Sequence, residues 1–155
     1  MKVEGNIFTH STLEEGYDFF IEDKWKKNRH FKISTFPVPT GILSEAIEVV
    51  SDEKVESYIF TILSPFDSDI ENAELKLKAK IKRGINKRYL TNSSWGYELA
   101  KNDEMAGRIE WNSENNGTML IVDGKRLSMA ELEKLLEPYE GFQFRFQIID
   151  ATDEF

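Results

Sequence analysis

Cysteine is absent from the 155 residues. That excludes a disulfide framework, a thiolate metal site and a cysteine nucleophile, and it fits a reducing compartment. Histidine is scarce, with two residues, His10 and His30. Neither sits in a base or ligand motif, and a catalytic imidazole needs an identifiable partner. No stretch approaches the roughly 18 apolar residues that a membrane helix requires. The opening Met1-Lys-Val-Glu-Gly-Asn lacks the apolar core of a signal peptide. The expectation is a cytoplasmic chain with no membrane partner. Phosphate-binding loops are missing too. Gly5, Gly41, Gly117 and Gly124 form neither Gly-x-x-x-x-Gly-Lys nor Gly-x-Gly-x-x-Gly, and no Gly-x-Ser-x-Gly elbow occurs. Cations are outnumbered, 20 against 28 acids for a net charge of -8, which aids solubility and opposes bulk attraction to nucleic acid or anionic lipid.

What is present is the composition of a soluble globular protein, 40% hydrophobic and 31% charged. The length suits one domain over 1–155. The most legible stretch is Ile121-Val-Asp-Gly-Lys-Arg-Leu-Ser. Asp123-Gly124 reads as a two-residue hairpin turn, because both residues tolerate positive φ. Ser128 with Glu131 makes a capping box. Met129, Leu132, Leu135, Leu136 and Tyr139 then follow at helical spacing. After Gly141, the apolar Phe142, Phe144, Phe146 and Ile148 alternate with Gln143, Arg145 and Gln147, the pattern of a strand buried on one face. Residues 103–150 therefore read as hairpin, helix and strand.

Upstream, Ser11 and Glu14 form a second capping box, and Leu13, Tyr17, Phe20, Ile21 and Trp25 recur at helical spacing. The expectation is an N-terminal helix over 11–28, blemished by Gly16 and closed by Lys24, Lys26, Lys27 and Arg29. Residues 30–90 read as a three-stranded antiparallel meander, 31–36, 43–50 and 55–63, followed by a long helix. Pro37 ends the first strand, and Ser51-Asp-Glu-Lys is the second loop. Tyr58-Ile-Phe-Thr-Ile-Leu is apolar on both faces, as a central strand would be. Ser68 with Glu71 caps a helix over 69–89 whose inner stripe is Ile70, Ala73, Leu77, Ile81, Ile85 and Arg88. Residues 91–103 lack periodicity and read as the main loop. The class is α+β, with antiparallel sheets and about three helices, in the order β-β-β-α-β-β-α-β after the N-terminal helix.

The candidate chemistry is thin. Asp67-Ser-Asp69-Ile-Glu71 opens like a calcium loop. It fails where Asn72 replaces the needed glycine and Lys78 the last glutamate, and helix capping by Ser68 or Asp69 is the expected role. Acid pairs such as Asp52/Glu53 and Asp103/Glu104 are adjacent in sequence, so their side chains do not converge on a substrate. No catalytic, metal or cofactor residue is expected. The one uneven feature is the helix 69–89. Seven cations lie between Lys76 and Arg88 with no acid among them, leaving 13 cations against 28 acids elsewhere, a balance of -15. Lys76, Lys80, Arg83 and Lys87 share one outer helical face. That face is either a solvated surface suited to a helix C-terminus or an anion-binding strip. A compact acidic patch, on a partner or on a second copy, fits the strip better than a long polyanion, which the remaining charge repels. Trp95 and Tyr97, in the irregular segment, are candidate contact residues.

The blocks Glu104-Met-Ala-Gly-Arg-Ile-Glu-Trp, Leu120-Ile-Val-Asp-Gly-Lys-Arg-Leu-Ser and Tyr139-Glu-Gly-Phe-Gln-Phe resemble a bacterial family of unknown function. That family shares a G-x-I-x-W … IDG … YEG-(W/F)-Q-F block near the C-terminus. The likeness extends more weakly upstream, through Pro39-Thr-Gly-Ile and Lys82-Arg-Gly-Ile-Asn-Lys-Arg-Tyr-Leu, to cover about 30–150. Some relatives carry a cysteine-rich segment ahead of this region, and no metal role carries over to this cysteine-free chain. The resemblance brings no catalytic residues. The expected function is a non-enzymatic interaction module, with nucleic-acid association through helix 69–89 second and a carboxylate enzyme third.

Overall fold

The computed structural model describes residues 16–51, 57–114 and 116–154. The first half of the described chain is an antiparallel meander in the order β1-β2-β3-β4: β1 Tyr17–Glu22, β2 Asn28–Val38, β3 Gly41–Glu48 and β4 Ile59–Ser64. One face of this sheet is covered by helix α1, Ile70–Ile85. Ala73, Leu77, Ile81 and Ile85 recur at helical spacing and are buried with Phe31, Ile33 and Ala46. Tyr17, Phe19, Ile21, Phe60 and Ile62 pack around that cluster.

The N-terminal helix expected over 11–28 is overturned. Residues 11–15, with the Ser11/Glu14 cap, lie outside the described residues, and from Tyr17 the chain is a strand. Tyr17, Phe20 and Ile21 fit a helical stripe, but Tyr17, Phe19 and Ile21 fit a period of two, and that period prevails. It puts all three against the core while Asp18, Phe20 and Glu22 face out. Gly16, a blemish in a helix, is required here. Its φ is +75°, and a Cβ would stand 2.4 Å from the Ile33 carbonyl oxygen. The cations at 24–27 are the β1–β2 loop, wrapped on the buried Asp23 carboxylate, which accepts from the backbone N–H of Trp25 and Lys27 at 2.9 and 3.0 Å.

Other boundaries differ for physical reasons. β2 runs through Pro37; among the described residues β1 pairs only as far as Ile33, so no described strand on that side needs an N–H at Pro37. β4 is an edge strand rather than a central one, and Ile59 and Leu63 on its outer face are exposed. α1 is capped by Asp69, not Ser68: the Asp69 carboxylate accepts from Glu71 N at 3.3 Å. The helix stops at Ile85, where the Asn86 side chain accepts from Lys24 N at 2.8 Å.

The second half forms around a separate core. The segment expected to be a loop is a hairpin, β5 Leu90–Ser93 and β6 Gly96–Leu99. A three-stranded sheet follows in the order β7-β8-β9: Arg108–Asn112, Gly117–Val122 and Lys125–Ser128. Asp123 and Gly124 take φ of 56° and 73°, the expected turn with both central residues left-handed. The Ser128/Glu131 capping box is present and opens α2, Met129–Leu136, which a 3₁₀ turn over Glu137–Tyr139 continues. Leu90, Val122, Leu127 and Leu135 are the buried centre. The final strand over 142–148 is overturned. No strand forms there, and Phe142, Phe144, Phe146 and Ile148 are exposed. The class remains α+β, with two helices rather than three among the described residues.

The chain divides into two compact units. Among the described residues, one is 16–51 with 58–86 and 149–154, and the other is 57 with 87–148.

Candidate functional site

α1 carries Lys76, Lys80 and Arg83 of the cationic strip beside its buried stripe. Lys76 is exposed, while Lys80 is half-buried. The Lys80 ammonium donates to the backbone oxygens of Thr61, Ala151 and Asp153 at 2.8, 3.2 and 3.0 Å. Burial lowers its pKa from the ordinary lysine value, although Glu154 and Asp153 pull the other way. Arg83 forks onto the Glu154 carboxylate, its Nε donating at 2.8 Å, with a second donation from Nη2. The Thr61 hydroxyl also donates to Ala151 O at 2.8 Å. Thr152 donates from both its backbone N–H and its hydroxyl to Asp150, and these donations hold the Asp150 carboxyl below the usual carboxylate range. Two of the four strip cations are thus engaged by the chain's own acidic tail, 150–154. The fourth, Lys87, lies past the end of α1, with its ammonium 5.3 Å from the Tyr89 ring centre. The tail's role was missed in the sequence. Its only signal was the complementary run Asp150-Ala-Thr-Asp-Glu.

Trp95 and Tyr97 part company. Trp95 is in the two-residue loop between β5 and β6 and is 47% exposed. Tyr97 is half-buried and packs on the Leu90–Val122–Leu127–Leu135 cluster, with the Lys125 ammonium 5.6 Å from its ring centre. A recess of about 100 Å³ lined by Lys87, Tyr89, Lys101 and Glu104, among others, lies in the same unit. It is below the ~300 Å³ of a small-molecule pocket. His30 is 2.8 Å from Asp18 and stacks on Phe20, a cross-strand arrangement on β1 and β2. His10 lies outside the described residues. No group of three or more His, Asp or Glu able to hold a metal occurs among the described residues.

The largest unsatisfied feature is the segment after α2. Tyr139 donates its hydroxyl to Asp103 at 2.8 Å and meets the Phe142 ring edge-on, with ring centres 5.6 Å apart. Gly141 turns the chain at φ +91°. Beyond it Phe142 is 72% exposed, Phe144 90%, Phe146 73% and Ile148 64%. The sheet of the same unit has an open apolar edge. β7 is its outermost strand on one side, and Ile109 and Trp111 on β7 are 55% and 63% exposed. They share a face with Leu120 and the buried Leu127, since Ile109 pairs with Leu120 and Leu120 with Leu127.

Fold and surface together define an α+β protein of two compact units with an exposed alternating apolar segment. Two family models match it. Residues 14–86 match a domain of unknown function (DUF7686), and residues 89–153 match a second domain of unknown function (DUF7713). The gap between the matches falls where the main chain leaves the first compact unit for the second, between Asn86 and Lys87. Both matches are to domains of unknown function, consistent with the uncharacterised family expected from the sequence, and the blocks quoted between Glu104 and Phe144 lie within the second match. Comparison with curated proteins and with solved structures gave no match.

Proposed function

We propose that this chain is a protein-contact module and that its contact surface is centred on Phe142–Ile148. One observation carries the reading: four large apolar side chains at alternate positions stand in solvent, between 64% and 90% exposed. Scattered exposed leucines are ordinary, whereas a contiguous apolar run marks an interaction site. The polar alternates Gln143, Arg145 and Gln147 keep such a run soluble until it docks, and Arg and aromatic residues are the types enriched at interfaces. The strip of Lys76, Lys80, Arg83 and Lys87 weighs less as a primary surface. An acidic partner or a nucleic acid would have to displace Asp153 and Glu154 from Lys80 and Arg83.

The test is a photo-reactive benzoylphenylalanine at position 144, activated in the native cell. A discrete covalent adduct between two polypeptides, identified by mass spectrometry, is the expected result. Recovery of uncrosslinked chain alone would remove the reading.

A further inference from the structure

We infer that the occupant of this surface is a second copy of the chain, whose Phe142–Ile148 segment adds as an antiparallel strand to the free edge of β7. The inference rests on the contact-module reading. Its basis is the match between two sequences that the structure leaves exposed in the same unit. With Arg145 placed opposite Glu110, Phe144 falls opposite Trp111, Phe146 opposite Ile109, Gln143 opposite Asn112 and Gln147 opposite Arg108. Phe144 and Phe146 then meet apolar residues, while Phe142 and Ile148 fall opposite Ser113 and Gly107, just past the two ends of β7. The single cation of the segment meets the single acid of β7, which already accepts from Arg108 on the same strand. A slip of one residue would set phenylalanine against Glu110 and Arg145 against Trp111, so the register is specified. In this register the incoming rings extend the face on which Leu120 and Leu127 already pack.

Pairing of the segment with its own counterpart is disfavoured. Antiparallel pairing about the centre would place Arg145 against Arg145, and directly opposed like charges destabilise a sheet. Pairing with β7 within one copy is not made. Both surfaces stay exposed, while the chain on either side of the segment is engaged, at Tyr139–Asp103 and at Ala151–Glu154. Exchange between two copies satisfies both surfaces twice through one two-fold operation, which closes the assembly as a dimer. The area suffices. Three phenylalanines at about 150 Å² each, counted in both copies and added to the β7 side chains, pass the ~1,000 Å² that a specific interface needs.

Because the chain has no cysteine, the register can be read covalently. Arg145→Cys chain is mixed with differently tagged Glu110→Cys chain and oxidised, while light scattering follows the wild type across concentration. The expected result is a wild-type dimer, a disulfide between the two tagged chains, and no disulfide when Trp111→Cys replaces Glu110→Cys. Phe144→Asp should weaken dimerisation by about thirty-fold or more, as loss of a hot spot does, with an unchanged circular dichroism spectrum. A wild type that stays monomeric at its highest soluble concentration overturns the inference, as does a dimer that forms no Arg145→Cys to Glu110→Cys bond. If the wild type is monomeric yet the position-144 probe captures another protein, the second-copy inference falls and the contact-module reading stands. If the probe also captures nothing, both fall.

Discussion

Asp123 serves the fold twice. Its backbone takes the left-handed conformation that the β8–β9 turn requires, and its carboxylate accepts from Tyr89 N at 3.0 Å and Leu90 N at 2.9 Å. The turn is thereby tied to the start of β5, 33 residues away. Asp123→Ala should cost about 2–3 kcal/mol, since hydrogen bonds to a charged group are worth about 1.5–3 kcal/mol. A urea melt with unchanged midpoint would show that the carboxylate contributes nothing. Asp23 has the corresponding place in the other unit. Burial alone would raise its pKa, but the backbone N–H groups of Lys27 and Trp25 and the Arg29 guanidinium outweigh it, so the carboxyl titrates below its ordinary range. A folded pKa below the unfolded one gives stability that is present above about pH 3.9. That stability is lost as pH falls through the lower, folded value. Acid melts of wild type should therefore lose stability below about pH 4, and Asp23→Asn should flatten that slope. Parallel acid profiles for the two proteins would contradict the assignment.

Among the elements, the contrast between β2 and the segment 142–148 separates hydrophobic pattern from hydrophobic burial. Both alternate. In β2, Phe31 and Ile33 are fully buried beneath α1, whereas Phe144 stands in solvent. Phe31→Ala should cost about 3–5 kcal/mol, the usual toll of an aromatic truncation in a core. Phe144→Ala should change the stability of the dilute monomer by no more than about 0.5 kcal/mol, as surface substitutions do. Urea melts of the two variants decide the point, and a large loss in Phe144→Ala would mean the segment is buried within the fold. The alternation that makes 142–148 look like a buried strand is real. The chain's own sheet does not cover it.

For the molecule as a whole, the two buried clusters belong to different units, and the family matches meet at the same boundary. The first unit is closed by a returning segment, because 149–154 joins it after the second unit is complete. Leu127 is fully buried in the second cluster. Leu127→Ala should cost about 2–5 kcal/mol by transfer loss and cavity formation. Amide exchange should quicken in 87–148 and stay unchanged in β1–β4 and α1, the behaviour of separately cooperative units. Uniform acceleration across all strands would instead show one cooperative block.

The sequence alone determined the features whose partners lie within a few residues. These are the left-handed turn at Asp123-Gly124, the Ser128/Glu131 capping box, and the spacing that buries Ala73, Leu77, Ile81 and Ile85 on one side of α1. It also made the coarse class legible, and it exposed the cation run from Lys76 to Arg88, though not what that run meets. Only the tertiary structure decided between two periods at Tyr17–Glu22, because Tyr17, Phe19 and Ile21 gain burial when β2 pairs beside them. It ended α1 at Ile85 through Asn86 and Lys24, 62 residues apart, and laid the acidic tail on Arg83 from 71 residues away. Such contacts leave no local periodicity, since each partner alone is only a polar side chain. The exposure of Phe142–Ile148 has the same origin. An alternating sequence specifies that one face wants cover, and the surroundings in space determine whether cover is there.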